Sequence, residues 1–200
     1  MINIAVFCSG NGTNLQAIIN AVRRGFIKAD IKLVIADNSE AYALVRAKKA
    51  KIETFVLTKD GFKTREDYDR EIIKKLEEKN IDLVVLAGFM RLLSAYFIAK
   101  YRNRILNIHP ALLPSFKGTH GVKDALDYGV KITGPTVHFV DEKLDSGPII
   151  IQEVVKVKDD DTEESLAERI HKKEHLIYPK AIKWFVEGRL KIEGRKVRVI

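Results

Sequence analysis

Short apolar runs alternate with amphipathic stretches along the first half of the chain. Residues 2–8, 31–36, 83–87 and 105–108 are each brief, rich in Ile, Val and Leu, and bounded by turn-forming or polar residues. That is the pattern of strands buried on both faces. Between them, residues 14–24 place Leu15, Ile18, Ile19 and Val22 on one helical face. Residues 65–79 do the same with Tyr68, Ile72, Ile73 and Leu76, and Thr64 stands where an N-cap is needed. Strands alternating with helices predict βαβ units with right-handed crossovers. The fold class is therefore α/β, Rossmann-like, with a mostly parallel central sheet and helices on both faces. Past residue 134 the pattern changes. Residues 135–140 and 149–157 are consecutive strand-like runs joined by a polar loop, which predicts antiparallel strands toward the C-terminus. Asp161 and Glu164 read as a capping box for a long last helix, with Leu166, Ile170, Ile177 and Ala181 on its buried face. Pro179 is expected to kink or divide that helix.

Composition narrows the picture. Two hundred residues, 46% hydrophobic and 31% charged, suit a single globular domain over residues 1–200. No apolar run is long enough to cross a bilayer. The first residues lack the basic flank and long apolar core of a secretory leader, so a cytoplasmic protein is expected. One cysteine, Cys8, leaves no disulfide framework and no multi-cysteine metal site. A net charge of +8 raises the question of nucleic acid. The basic residues are dispersed, however, and no aromatic-interleaved basic run appears. The charge reads as solvated surface and suits a small anionic substrate, with no nucleic-acid or membrane partner.

Three loops carry candidate chemistry. Ser9 to Asn14 lies between the first strand and the first helix, where free N–H groups meet ligands at the carboxyl ends of strands. Gly10 and Gly12 permit close backbone approach, and Thr13 and Asn14 add donors, which suits a phosphate monoester. Leu15 stands where a dinucleotide fingerprint needs its third glycine, and the Walker A lysine is absent. Asp37, after the second strand, occupies the place of a ribose-binding acid, although an acidic turn residue is common there. The second loop follows Asn107-Ile108-His109-Pro110. Strand alternation puts Asn107 and His109 on one side, pairing an amide that can stabilise an oxyanion with an imidazole that can shuttle a proton. The third, residues 141–148, is acidic, and a carboxylate from it can face His109, orient it and favour its charged form. Each stretch, taken alone, also fits an ordinary glycine turn, a satisfied core histidine or an acidic hairpin loop. Gly88 to Arg91 ends a strand and can line a pocket for a planar ligand. Glu174 and His175 sit in the last helix, where surface charge is the default. His120 lies in a Gly-flanked loop, His138 in a strand and His171 on a helix surface, and no spacing matches a metal site.

Five segments in order, SGNGTNLQA at 9–17, VLAGFMRLLS at 85–94, LNIHPALLPSFKG at 106–118, TGPTVHFVDEKLDSGPIIIQ at 133–152 and EHLIYP at 174–179, resemble the phosphoribosylglycinamide formyltransferases. These are folate-dependent enzymes of purine synthesis, and the likeness runs over nearly the full length. It implies a phosphate-binding N-terminal half and a folate-binding, catalytic C-terminal half. It assigns Gly12, Thr13 and Asn14 to the substrate phosphate, and Glu174 to its ribose. Asn107, His109 and Asp145 take the catalytic positions. Arg65 and the turn Met90, Arg91, Leu92 and Leu93, together with Asn107, take the folate. The co-substrate implied is 10-formyltetrahydrofolate, the acceptor phosphoribosylglycinamide, with no metal, in a monomer or homodimer. Residues 117–121 correspond to a mobile segment of the family.

Related activities fit less well. A methionyl-tRNA formyltransferase carries a further C-terminal domain that this chain has no room for. A formyltetrahydrofolate deformylase usually places a regulatory domain ahead of the catalytic fold, which here begins at Met1. A non-catalytic nucleotide- or RNA-binding module gives Asn107, His109 and Asp145 no role.

Overall fold

The computed structural model describes residues 1–200, which divide into two compact units, Met1–Leu106 and Asn107–Ile200. The first unit runs β1 (Ile2–Cys8), α1 (Thr13–Arg23), β2 (Ala29–Ala36), α2 (Tyr42–Lys49), β3 (Glu53–Val56), α3 (Arg65–Glu78), β4 (Leu83–Leu86) and α4 (Ala95–Lys100). Its strands lie in the order β4-β1-β2-β3, and every pairing among them is parallel. From Ile4 to Cys8 every residue of β1 is inaccessible to solvent, which is why that strand is an unbroken apolar run. Thr64 caps α3 as expected, in a reciprocal box with Asp67.

The chain leaves the first unit within β5 (Ile105–His109). The second unit continues with α5 (Gly121–Tyr128), β6 (Ile132–Thr133), β7 (Thr136–Phe139), β8 (Ile149–Gln152), β9 (Val155–Lys156), α6 (Glu163–Val186), β10 (Leu190–Glu193) and β11 (Lys196–Val199). Strand order here is β10-β11-β8-β7-β5, with β7 and β8 antiparallel as the sequence predicts. The fold is thus α/β and Rossmann-like, parallel first and antiparallel toward the C-terminus.

Three details differ from expectation. The run 149–157 is not one strand, because residues 153 and 154 interrupt it and β9 pairs instead with β6. The capping box of α6 is Thr162 with Ser165, while Asp161 stands just outside, gripping Arg169 and the Ser165 hydroxyl. Pro179 does not divide α6, which runs as one helix from Glu163 to Val186. Leu166, Ile170, Ile177 and Ala181 are all buried, and Leu166 and Ile170 pack with Val155.

Candidate active site

In the second unit, β5 delivers Asn107 and His109 to one side, with Asn107 half-buried and His109 only 3% exposed. The loop between β7 and β8 delivers Asp145, whose backbone is left-handed at φ 46°. A non-glycine residue holds that conformation at a cost of about 1–2 kcal/mol, so contacts made by the loop must sustain it. Gly147 supplies one condition: a Cβ there would stand 1.8 Å from the Phe139 carbonyl oxygen. The Asp145 carboxylate faces His109, with Oδ2 3.5 Å from Nδ1, and the same oxygen accepts from the Gly118 N–H at 2.8 Å.

The other ring nitrogen of His109, Nε2, lies 2.7 Å from the Phe116 carbonyl oxygen. A carbonyl only accepts, so Nε2 carries a proton. With Nε2 protonated, a neutral ring would turn its Nδ1 lone pair toward a carboxylate. Only the doubly protonated imidazolium offers a donor to each acceptor.

His138, on β7, completes the group. Its Nδ1 donates to the Phe139 carbonyl at 2.7 Å, which leaves Nε2 as an acceptor for the Asn107 amide at 3.2 Å. Asp145 Oδ1 is 3.7 Å from that same Nε2. Burial holds the His138 pKa below its ordinary value, against the opposing pull of the Phe139 carbonyl and Asp145. A neutral His138 fixes which way the Asn107 amide points and leaves its second N–H free to meet a ligand. Sequence reading placed His138 in a strand without a role. Its role follows from the cross-sheet position, which local pattern does not reveal.

Glu174 is 4% exposed, so the surface default for that position does not hold. It lies four residues after Ile170 and three before Ile177, inside the apolar stripe of α6. That spacing was the available indication. His171 is exposed, and His120 is the exposed residue preceding α5.

The first unit holds the other candidates. Gly12 is the N-cap of α1, left-handed at φ 74°, and no side chain caps the helix. A Cβ at Gly12 would lie 2.7 Å from the Ala43 Cβ, so α2 packs where any larger residue would project. The first N–H groups of α1, from Thr13 onward, have no acceptor within the helix. Arg46, on α2, donates through Nε to the Asn11 carbonyl and through Nη2 to the Asn11 side chain, both at 2.8 Å. Nothing in the local sequence marked Arg46. Ser9 ties this loop to the turn after β4: its N–H donates to Gly88 at 2.9 Å and its hydroxyl accepts from Met90 N at 2.8 Å. In that turn Met90 and Leu92 are 64% and 50% exposed, whereas Leu93 is buried. The Arg91 guanidinium lies 4.1 Å from the Tyr68 ring centroid, and its buried Nε has no hydrogen-bond partner. The exposed apolar side chains of Met90 and Leu92 suit a planar ligand. Beneath the turn, the buried Asp69 carboxylate accepts from Ser94 N at 2.6 Å, within the charge field of Arg91 and of Arg65, which is exposed at the start of α3.

The Cys8 thiol is pushed up to about 12 by burial and by Asp37. It stays protonated and is no nucleophile. No three His, Cys, Asp or Glu side chains are gathered where they could hold a metal ion, and no helix is long and apolar enough to cross a membrane.

The fold and the whole length of the chain find their match among the formyl transferases. The chain belongs to that family, whose model matches residues 2–182. Among its relatives is the phosphoribosylglycinamide formyltransferase of Escherichia coli K12, 46% identical over 190 residues, covering 95% of this chain and 90% of that protein. The glycinamide ribonucleotide transformylase 1 of Symbiobacterium toebii superposes with a TM-score of 0.98 at 46% identity, over 100% of this chain and 94% of that one. A formyltetrahydrofolate deformylase from Pseudomonas syringae shares the fold at TM-score 0.93 but only 27% identity, with 66% of its chain covered.

Proposed function

We propose that the protein transfers the formyl group of 10-formyltetrahydrofolate to the amine of 5'-phosphoribosylglycinamide, a step of purine synthesis. What carries the reading is the set of Asn107, His109 and Asp145, where two donors and an acid meet at one strand end. The acceptor is favoured by the 46% identity to a phosphoribosylglycinamide formyltransferase, against 27% to a deformylase. The uncapped α1 terminus at Gly12, Thr13 and Asn14 suits the acceptor's phosphate, and Glu174 suits its ribose hydroxyls. Arg65 and the Met90–Leu93 turn suit the folate.

The unprotonated amine attacks the formyl carbon, forming a C–N bond while the carbonyl π pair moves onto oxygen. That oxyanion is received by the free Asn107 N–H and by the His109 Nε2–H, which exchanges the Phe116 carbonyl for it. Asp145 holds the ring through Nδ1. A water beside Asp145 carries the amine's proton to N10, and the oxyanion pair re-forms the carbonyl as the C–N10 bond breaks and its pair leaves with N10. Each donor aimed at the oxyanion lowers the barrier by about 3 kcal/mol, roughly a hundredfold in rate.

His109→Ala and Asp145→Ala are therefore expected to cut turnover about a hundredfold or more while the melting temperature stays near wild type. Turnover at the wild-type rate in either variant would remove this assignment.

A further inference from the structure

Ser146, next to Asp145, is held from outside the loop at two points. Ser146 receives the Lys117 ammonium on its hydroxyl at 2.5 Å and the Arg195 guanidinium on its carbonyl at 2.8 Å. Arg195 comes from the last hairpin. β10 and β11 pair antiparallel from Leu190↔Val199 to Glu193↔Lys196, leaving Gly194 and Arg195 as a two-residue turn with Gly194 at φ 61°. Strand β11 meets β8 at a single parallel pair, Lys196↔Ile149. That register puts residue 195 beside the segment that enters β8, the segment that contains Asp145.

We infer that Arg195 is a positioning residue for formyl transfer: the C-terminal hairpin sets the Asp145 carboxylate against His109 by tethering Ser146. The physical need is specific. Asp145 is left-handed at φ 46° and its carboxylate must meet His109 Nδ1, so small rotations of the peptide before Ser146 swing the acid away. Gly147, pressed on the Phe139 carbonyl, fixes the far side of the loop. On the near side the restraints are Arg195, Lys117 and the Gly118 N–H. The last two belong to the stretch that also presents the Phe116 carbonyl to His109. When that carbonyl yields to substrate, Arg195 is the tether that stays. This gives the basic C-terminal segment a task that charge alone does not suggest.

The inference rests on Asp145 acting in the reaction, so the test pairs the two residues. Full-length Arg195→Ala, Arg195→Lys, Arg198→Ala and Asp145→Ala are compared by steady-state kinetics, thermal denaturation and 15N resonances of the His109 ring. Arg198, which pairs with Glu193 at 3.2 Å in the same hairpin, is the control. Arg195→Ala is expected to lower kcat about fivefold, the scale of one ordinary net hydrogen bond. KM for both substrates should stay unchanged, the His109 resonances should shift, and lysine should restore part of the loss. Arg198→Ala should match wild type. If Asp145→Ala abolishes turnover while Arg195→Ala keeps wild-type kcat, the tether is refuted and the catalytic reading stands. Equal losses of kcat and melting temperature in Arg195→Ala and Arg198→Ala would reduce the effect to hairpin stability and overturn the inference. Wild-type turnover in Asp145→Ala would remove the catalytic reading, and the inference with it.

Discussion

His138 donates from Nδ1 to the carbonyl of Phe139, and that one bond decides the chemistry of its neighbours. With Nδ1 committed, Nε2 must accept, and the Asn107 amide turns its N–H group toward it. The same commitment sets a pH dependence. Burial lowers the folded pKa of His138, so an unfolded chain binds a proton at a pH where the folded one does not. The stability from its neutral ring is complete above the ordinary histidine pKa and is lost as pH falls below it toward the folded value. Replacing His138 with Asn is expected to flatten the fall in melting temperature across that mildly acidic window, and to lower kcat as Asn107 loses its partner. Parallel melting curves against pH would contradict this. A second residue-scale expectation concerns Gly12. Gly12→Ala places a Cβ 2.7 Å from that of Ala43 at φ 74°, which the loop cannot absorb without shifting. A backbone cost of about 1–2 kcal/mol follows from the left-handed conformation alone. The displaced loop should raise KM for the phosphorylated amine and leave KM for the formyl donor alone, which steady-state kinetics with each substrate varied will check.

Among the elements, α6 has the clearest electrostatic anchor. Asp161 is held by the Arg169 guanidinium, the Lys158 N–H and the Ser165 hydroxyl, which together keep its carboxyl well below the usual carboxylate range. A depressed folded pKa gives stability that is present above the unfolded value and is lost as pH falls below it. Asp161→Asn should therefore lower the melting temperature at neutral pH, with the gap from wild type closing in acid. A gap that persists at low pH would mean that packing, not charge, holds the start of α6.

How far the elements could be read from sequence depended on burial. β1 and β4, buried along most of their length, announced themselves as apolar runs, and α3 by its stripe and cap. β3 was missed because it is an edge strand, half-exposed, with no apolar run to show. β10 and β11 alternate charged and apolar side chains and show no apolar run. Asn107 and His109 were legible through strand alternation. Asp145 was not singled out by its acidic loop, since its meeting with His109 depends on a left-handed backbone set by distant partners. Arg46 and Arg195 were invisible for a similar reason, as their bonds reach backbone atoms 35 and 49 residues away. Glu174 stood in a readable stripe and was passed over because carboxylates are seldom buried.

For the whole molecule, the net charge of +8 is spread rather than focused. Many cations are spent in exposed pairs, such as Arg70 with Glu66, Lys100 with Glu77 and Lys172 with Glu168. Exposed pairs of that kind are screened by water, contribute little to stability and form no basic stripe. The proposed chemistry draws instead on the two loop systems of the first unit and the polar group around His109 in the second. Formyl transfer needs an amine that a hydrolase does not, and that requirement is the central claim. The direct measurement is consumption of 10-formyltetrahydrofolate by the full chain, with phosphoribosylglycinamide absent and then added. Transfer predicts negligible loss of the donor until the amine is present, followed by equal amounts of tetrahydrofolate and formylated product. Donor loss at the same rate with or without the amine would contradict it and assign the chain to hydrolysis.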